Sequence, residues 1–166
     1  MLLSLGNKYV IDTNVLITLM NYYRPNDPTF KAIWDEIEEL IKQKNIFTTE
    51  VVYDEIMTYL GKDDRLKKWA KANKKRFFIP TNPEIFQLAQ DIIRKFPDFP
   101  NKKKLLTGEP DADPFLIALA QSEGATIVTQ EKQELNKVPL IASRYGVKSI
   151  DHFGFFTERR LKFIKE

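Results

Sequence analysis

Four carboxylates stand where a predicted strand ends or a predicted helix begins. Asp12 directly follows one short apolar run, and Glu131 lies just beyond another. Glu55 lies at the edge of the apolar stripe of a predicted helix, and Asp113 begins an apolar helix. Carboxylate oxygens are ligands that suit Mg²⁺ or Mn²⁺. If the four side chains converge, they form a site for such an ion.

Each of these acids also has an ordinary structural explanation. Asp12 and Asp113 could simply cap the helices after them. Glu55 could be a solvated or salt-bridged residue at a helix boundary, and Glu131 could belong to an exposed turn. Asp111 is close enough in sequence to assist or replace Asp113. The combination is therefore more informative than any single acid.

Short apolar runs alternate with amphipathic helices along the chain, and this order predicts the elements that must position the acids. Strands are expected at residues 8–11, 46–49, 77–79, 125–128 and 147–150. Helices are expected after Asp12, over 28–41, from 52 to an end at Gly61, over 62–75, over 83–93 and over 114–121, with 95–109 an exposed connection. The alternation predicts a three-layer α/β/α fold with a mostly parallel central sheet, whose ligands bind beyond the carboxyl ends of the strands.

Length and composition restrict the class of protein. A chain of 166 residues that is 43% hydrophobic can bury one substantial core, so we expect a single domain over residues 1–166. The absence of cysteine excludes disulfides and thiolate metal sites, and a single histidine disfavours zinc or copper. The first residues have neither a basic flank nor a long apolar run, so we expect a cytoplasmic protein without a membrane span.

The net charge is only +3, but the basic residues are distributed unevenly. They gather at 62–76 and again at 102–104, a pattern that suits a polyanionic partner. A solvated helix face is the alternative explanation. The first candidates for phosphate contacts are Lys67, Lys68, Lys71, Lys74, Lys75 and Arg76.

The acids and the residues around them resemble the motifs of the PIN-domain family. The first motif is residues 10–17, in which Asp12 ends a strand and is followed by Thr-Asn. Glu55 within 51–56, Asp113 within 112–118 and Glu131 within 125–131 come next in the family's order, so the similarity spans roughly residues 9 to 150. One departure is that the fourth acid of the family is usually Asp, whereas this chain has Glu131.

The resemblance implies a PIN-like fold and a metal-dependent endoribonuclease that uses Mg²⁺ or Mn²⁺ to cut RNA. Many stand-alone PIN domains of this size are toxins held inactive by an antitoxin. The resemblance therefore also implies an antitoxin partner and a homodimer.

For this chemistry we expect each acid to have a distinct part. Asp12 and Asp113 would ligate the metal, Glu55 would orient or deprotonate the attacking water, and Glu131 would complete the shell. Asn14 and Thr129 could hold water or phosphate by hydrogen bonds.

Other functions fit the sequence less well. Phosphatases of the haloacid dehalogenase type require a second Asp two residues after the first, where this chain has Asn14. A Rossmann-type nucleotide binder is disfavoured because no glycine-rich turn follows the first strand. The better alternative is a non-catalytic RNA-binding or protein-interaction module on a PIN-like fold.

Overall fold

The computed structural model describes residues 6–58 and 64–163, which form a five-stranded parallel sheet in the order β3-β2-β1-β4-β5. The strands are β1 (Tyr9–Ile11), β2 (Ile46–Thr49), β3 (Phe78–Ile79), β4 (Thr126–Val128) and β5 (Ser149–Ile150). The helices are α1 (Thr13–Tyr22), α2 (Lys31–Lys42), α3 (Glu50–Thr58), α4 (Arg65–Ala72), α5 (Lys74–Phe77), α6 (Pro83–Lys95), α7 (Lys102–Thr107), α8 (Asp113–Glu123), α9 (Val138–Arg144) and α10 (His152–Glu158), with a 3₁₀ turn at Pro28–Phe30. The predicted α/β fold with a parallel central sheet is confirmed.

β1 is the central strand, and helices cover both faces of the sheet around it. Tyr9 pairs with Ile46 on one side and with Thr126 on the other. All three β1 residues are buried, although successive side chains of a strand point to opposite faces. The predicted run of apolar and β-branched residues is therefore typical of a strand buried on both faces.

Helix α8 forms much of the core beside β1. It packs against α6 and against β1, β2 and β4. Six of its residues are buried, and they come from all around the helix rather than from one stripe. This burial fixes the position of Asp113, the first residue of α8, relative to the end of β1.

Two segments differ from the sequence prediction. The basic helix expected over 62–75 is divided into α4 and α5, with Asn73 between them. The expected connection 95–109 contains α7, because its lysines and leucines favour helix although prolines flank them. The predicted helix end at Gly61 lies outside the described residues.

At the edge of the sheet where the strands have their carboxyl ends, backbone hydrogen bonds between neighbouring chain segments continue one residue past β1 and β4. The N–H of Asp12 donates to the Val128 carbonyl at 2.9 Å, and the N–H of Thr129 donates to the Ile150 carbonyl at 2.9 Å. Asp12 and Thr129 are thus fixed side by side where β1 and β4 end. No helix in the described ranges is long and apolar enough to cross a membrane.

Candidate active site

The four predicted acids meet around one cavity of about 790 Å³ beyond the carboxyl ends of the strands. We call it the acid cavity. It is lined by Asp12, Thr13, Asn14, Ile17, Glu55, Thr58, Asn101, Lys104, Glu109, Pro110, Asp111, Asp113 and Glu131. Elements distant in the sequence therefore bring together the carboxylates that the motifs singled out.

Asp12 occupies the N-cap position of α1, but its carboxylate makes no capping hydrogen bond. Its side chain instead accepts a 2.7 Å hydrogen bond at Oδ2 from the hydroxyl of Thr129. Asp12 is 4% exposed. The structure therefore does not support the simple capping explanation for this residue.

Burial raises the pKa of Asp12 from 3.8 to about 7. The hydrogen bond from Thr129 opposes this rise because it favours the charged form, whereas the charges of Glu131 and Glu55 add to it. A buried carboxylate beside like charges is costly when ionised, so the site favours a proton or another cation at Asp12.

Asp113 lies in the first turn of α8, whose N-cap position is held by Ala112. Burial is the main cause that raises the pKa of Asp113 well above its ordinary value, and the charges of Asp12, Asp111 and Glu131 raise it further. Asp12 and Asp113 are thus two interacting carboxyl groups in poorly solvated surroundings. Perturbed carboxyl groups at a cavity are typical of functional sites.

Glu55 reaches the acid cavity from α3 with both carboxylate oxygens engaged. Thr13 Oγ1 donates to its Oε1 at 2.6 Å. Lys104 Nζ donates to Oε2 at 2.6 Å, and the N–H of Ala112 donates to the same oxygen at 3.3 Å. The neighbouring Asp54 is exposed, which confirms the predicted helical phase of the two acids.

Glu131 lies between the end of β4 and α9. Its Oε2 accepts a 2.8 Å hydrogen bond from the N–H of Val138, the first residue of α9. Its own N–H donates to Thr129 Oγ1 at 3.2 Å. Glu131 thus borders the cavity, and one of its carboxylate oxygens is already hydrogen-bonded to a backbone N–H group.

Three other polar residues near the acids, Thr129, Asn14 and Asp111, make hydrogen bonds that the sequence did not reveal. Thr129 is 1% exposed and does not line the acid cavity, so its hydroxyl positions Asp12 instead of reaching water or phosphate. Asn14 lines the cavity, but its Oδ1 accepts from the N–H of Gln130 at 3.1 Å. Asp111 accepts from the N–H groups of Asn101 at 2.8 Å and Asp113 at 3.2 Å, which ties the segment before α7 to the start of α8.

None of the six basic candidates on α4 and α5 lines the acid cavity. Lys75 and Arg76 border a second cavity of about 650 Å³, together with Lys8, Lys42 and Lys44. Lys8 precedes β1 and Lys44 precedes β2, so this second cavity lies at the amino-terminal edge of the sheet, opposite the acids. Among the described residues that line the acid cavity, Lys104 is the one cation, and the sequence did not single it out.

The donor set of the acid cavity fits a hard divalent cation, because it consists of carboxylate oxygens with amide and hydroxyl groups nearby. Within residues 6–58 and 64–163, however, no group of three or more acidic or histidine side chains is already arranged as a metal site. Two of the four acids are already held by other groups. Lys104 pairs with Glu55, and the backbone of Val138 holds Glu131.

A family model described as a domain of unknown function (DUF4411) matches residues 9–163. The chain belongs to the DUF4411 family. The matched range contains every strand of the sheet and all four acids of the cavity. No curated protein matches the chain.

A solved structure shares the fold of this DUF4411 chain. A chain of the crystal structure of VapBC2 from Rickettsia felis, bound to a DNA fragment from their promoter, has a TM-score of 0.52 and 16% identity, covering 86% of this chain and 97% of that one. The crystal structure of FitAcB from Neisseria gonorrhoeae gives a TM-score of 0.48 and 14% identity, with coverage of 87% and 98%. The likeness to the VapBC2 chain shows a common fold, in agreement with the PIN-like fold that the motifs predicted.

Proposed function

We propose that this protein is a Mg²⁺- or Mn²⁺-dependent endoribonuclease that hydrolyses RNA phosphodiester bonds. The observation that carries the proposal is the meeting of Asp12, Glu55, Asp113 and Glu131 around one cavity, with the pKa values of Asp12 and Asp113 raised. Buried carboxylates that repel one another destabilise a fold unless a cation neutralises them. A divalent cation bound among these four carboxylates would neutralise their charges.

In this mechanism Asp12 and Asp113 would hold the cation, and Glu131 would complete its shell through the oxygen that Val138 does not use. A bound divalent cation would supply charge neutralisation at the scissile phosphate and assistance to the leaving oxygen. Glu55 would orient the attacking water and accept its proton. Thr129 would keep the Asp12 carboxylate turned toward the cavity.

The shape of the surface supports cleavage within a chain rather than at its end. Asp113 and Glu131 border the acid cavity and also a neighbouring cavity of about 540 Å³ that includes Asn136 and Lys137. The two cavities thus share Asn101, Asp113 and Glu131 in their lining. A single-stranded polymer lying along both would place an internal phosphate beside the carboxylates.

We further propose that the protein is the toxin of a toxin–antitoxin pair, acts in the cytoplasm as a homodimer and is held inactive by an antitoxin. This part of the proposal rests on the motif resemblance around Asp12, Glu55, Asp113 and Glu131. Size-exclusion chromatography with light scattering and co-purification with the product of an adjacent gene test the two assembly claims.

One contact favours the alternative of a non-catalytic module. Lys104 neutralises Glu55 directly, and a protein that keeps a PIN-like fold without metal chemistry could retain such an ion pair for stability. A nuclease assay distinguishes the two functions. Wild type should cleave structured or unstructured RNA when Mn²⁺ is added, and Asp12→Asn should lose at least about a hundredfold of that activity. Equal cleavage by both proteins would remove Asp12 from the reaction, and no cleavage by either would favour the module.

A further inference from the structure

Lys104 is held in the acid cavity by the fold and is not a freely solvated surface lysine. Its ammonium group lies 2.6 Å from Glu55 Oε2, and the paired side chains are 29% and 11% exposed. Its backbone N–H donates to the side chain of Asn101 at 3.3 Å. The backbone N–H of Asn101 in turn donates to the side chain of Asp111 at 2.8 Å, so the residues just before α8 anchor the segment that carries Lys104.

The surroundings keep the Lys104 side chain charged. Burial by itself lowers the pKa of Lys104, but the hydrogen bond to Glu55 and the charges of Glu55, Asp111 and Asp113 outweigh burial and raise it. A cation in this position stabilises several carboxylates at once. It also leaves Glu55 without a free oxygen, because Thr13 engages Oε1 and Lys104 engages Oε2.

We propose that Lys104 is the resident counter-ion of the acid cavity, and that a divalent cation binds there only by displacing its ammonium group from Glu55. The inference rests on the proposed function, since it assumes that the cavity takes such an ion. Lys104 is a positioning residue: in the metal-free protein it holds the carboxylate of Glu55, and on displacement it releases that carboxylate to water. The displaced side chain remains at the mouth of the cavity, where it can pair with a phosphate.

The singly charged ammonium group of Lys104 and the doubly charged Mn²⁺ compete for the same carboxylates. This competition determines the expected effect of Lys104 substitutions on metal affinity. Removing the resident cation leaves the carboxylates unpaired, so Mn²⁺ no longer has to expel a favourable partner. Lys104→Met should therefore tighten the dissociation constant for Mn²⁺ about tenfold, as measured by titration calorimetry. It should also lower the melting temperature in chelator. Lys104→Arg, which keeps the charge, should retain weak Mn²⁺ binding.

The matched control is Lys95→Met, which removes the same charge from an exposed lysine in the last turn of α6. It should leave both Mn²⁺ affinity and melting temperature close to those of wild type. If Lys104→Met binds Mn²⁺ with unchanged or weaker affinity than wild type, the inference is overturned. Absence of Mn²⁺ binding by both proteins overturns it as well.

A second measurement uses wild-type protein and does not depend on the folding of a variant. Acetylation of Lys104, followed by peptide mass spectrometry, should become severalfold faster when Mn²⁺ is added. The displaced side chain enters solvent and no longer has its proton held by the Glu55 carboxylate, so it more readily gives the neutral amine that reacts. Lys95 should be labelled at the same rate with and without Mn²⁺. An unchanged rate at Lys104 in protein that binds Mn²⁺ contradicts displacement.

The outcomes separate this inference from the proposed function. If Asp12→Asn abolishes RNA cleavage while Lys104→Met leaves Mn²⁺ affinity unchanged, the proposed nuclease activity is supported and the proposed role of Lys104 is contradicted. If Asp12→Asn cleaves RNA as wild type does, the proposed function falls, whatever the Lys104 variants show.

Discussion

The hydroxyl of Thr129 donates a 2.7 Å hydrogen bond to Oδ2 of Asp12, and both residues are buried. Thr129→Val should remove this side-chain donor from the Asp12 carboxyl and destabilise the fold by about 1–3 kcal/mol in urea unfolding. Because the hydrogen bond opposes the rise in the pKa of Asp12, the variant should also lose RNA cleavage at neutral pH.

Thr48→Val is the matched control for Thr129→Val. Thr48 lies on β2 and is fully buried, but its hydroxyl has no hydrogen-bond partner among the described residues. Its replacement by Val should be neutral or stabilising, since an unpaired buried polar atom is removed. Similar losses of stability in the two variants would mean that the Thr129 hydroxyl does not support Asp12.

Glu55 and Asp54 are adjacent on α3 but differ in exposure and contacts. Glu55→Gln should lose at least about a hundredfold in Mn²⁺-dependent cleavage of RNA, because the water loses its base. Asp54→Asn should be nearly silent, since Asp54 is exposed and does not line the acid cavity. A single cleavage assay on both variants checks the assignment, and similar activities would exclude Glu55 from the reaction.

The raised pKa values of Asp12 and Asp113 make stability in chelator depend on pH. Between the ordinary pKa of 3.8 and the value of about 7 for Asp12, the folded state holds a proton that the unfolded state has released. The free energy of unfolding should therefore fall as the pH rises through this range. Asp12→Asn removes that contribution, so its stability relative to wild type should increase by roughly 4 kcal/mol across the range.

Urea unfolding at several pH values between about 4 and 8 measures this difference. Asp113 titrates in both proteins, and removing the charge of Asp12 also lowers the pKa of Asp113. The difference between wild type and Asp12→Asn therefore reports on Asp12 together with its interaction with Asp113. A difference that stays constant with pH would mean that Asp12 has an ordinary pKa.

Helix α4 carries part of the basic surface and packs against α1 and α3, which supply Thr13 and Glu55 to the acid cavity. Replacing Lys67, Lys71 and Lys74 with Glu should weaken RNA binding and reduce the slope of log K against log salt by about 2. Mn²⁺ affinity should change little. The control triple at Lys42, Lys44 and Lys95 carries the same charge change, and an equal loss in that protein would indicate non-specific attraction.

The sequence predicted the sheet and the four acids because both depend on local patterns. Apolar runs such as Tyr9–Ile11 identify buried strands, and parallel strands place the residues after their carboxyl ends at one edge of the sheet. The phase of α3 could be predicted from its apolar stripe, which distinguished Glu55 from Asp54. These inferences require no knowledge of side-chain contacts.

Contacts across distant elements could not be predicted in this way. Lys104 belongs to a run of three lysines in which the sequence shows only charge, and its contact with Glu55 spans 49 positions. The hydrogen bond from Thr129 to Asp12 joins residues that are 117 positions apart. The hydrogen bond from the backbone N–H of Val138 to the Glu131 carboxylate could not be predicted either, because this contact depends on the conformation of the turn before α9.

The central claim is that the four acids form one metal site, and thermal unfolding of two proteins with and without Mn²⁺ tests it most directly. Mn²⁺ at a hundred times its dissociation constant should stabilise wild type by about 2.7 kcal/mol. Asp12→Asn should melt higher than wild type in chelator, because a repelled buried charge is removed, and should gain much less from Mn²⁺. Asp54→Asn should respond as wild type does. A full response to Mn²⁺ in Asp12→Asn, or none in wild type, would contradict the shared metal site.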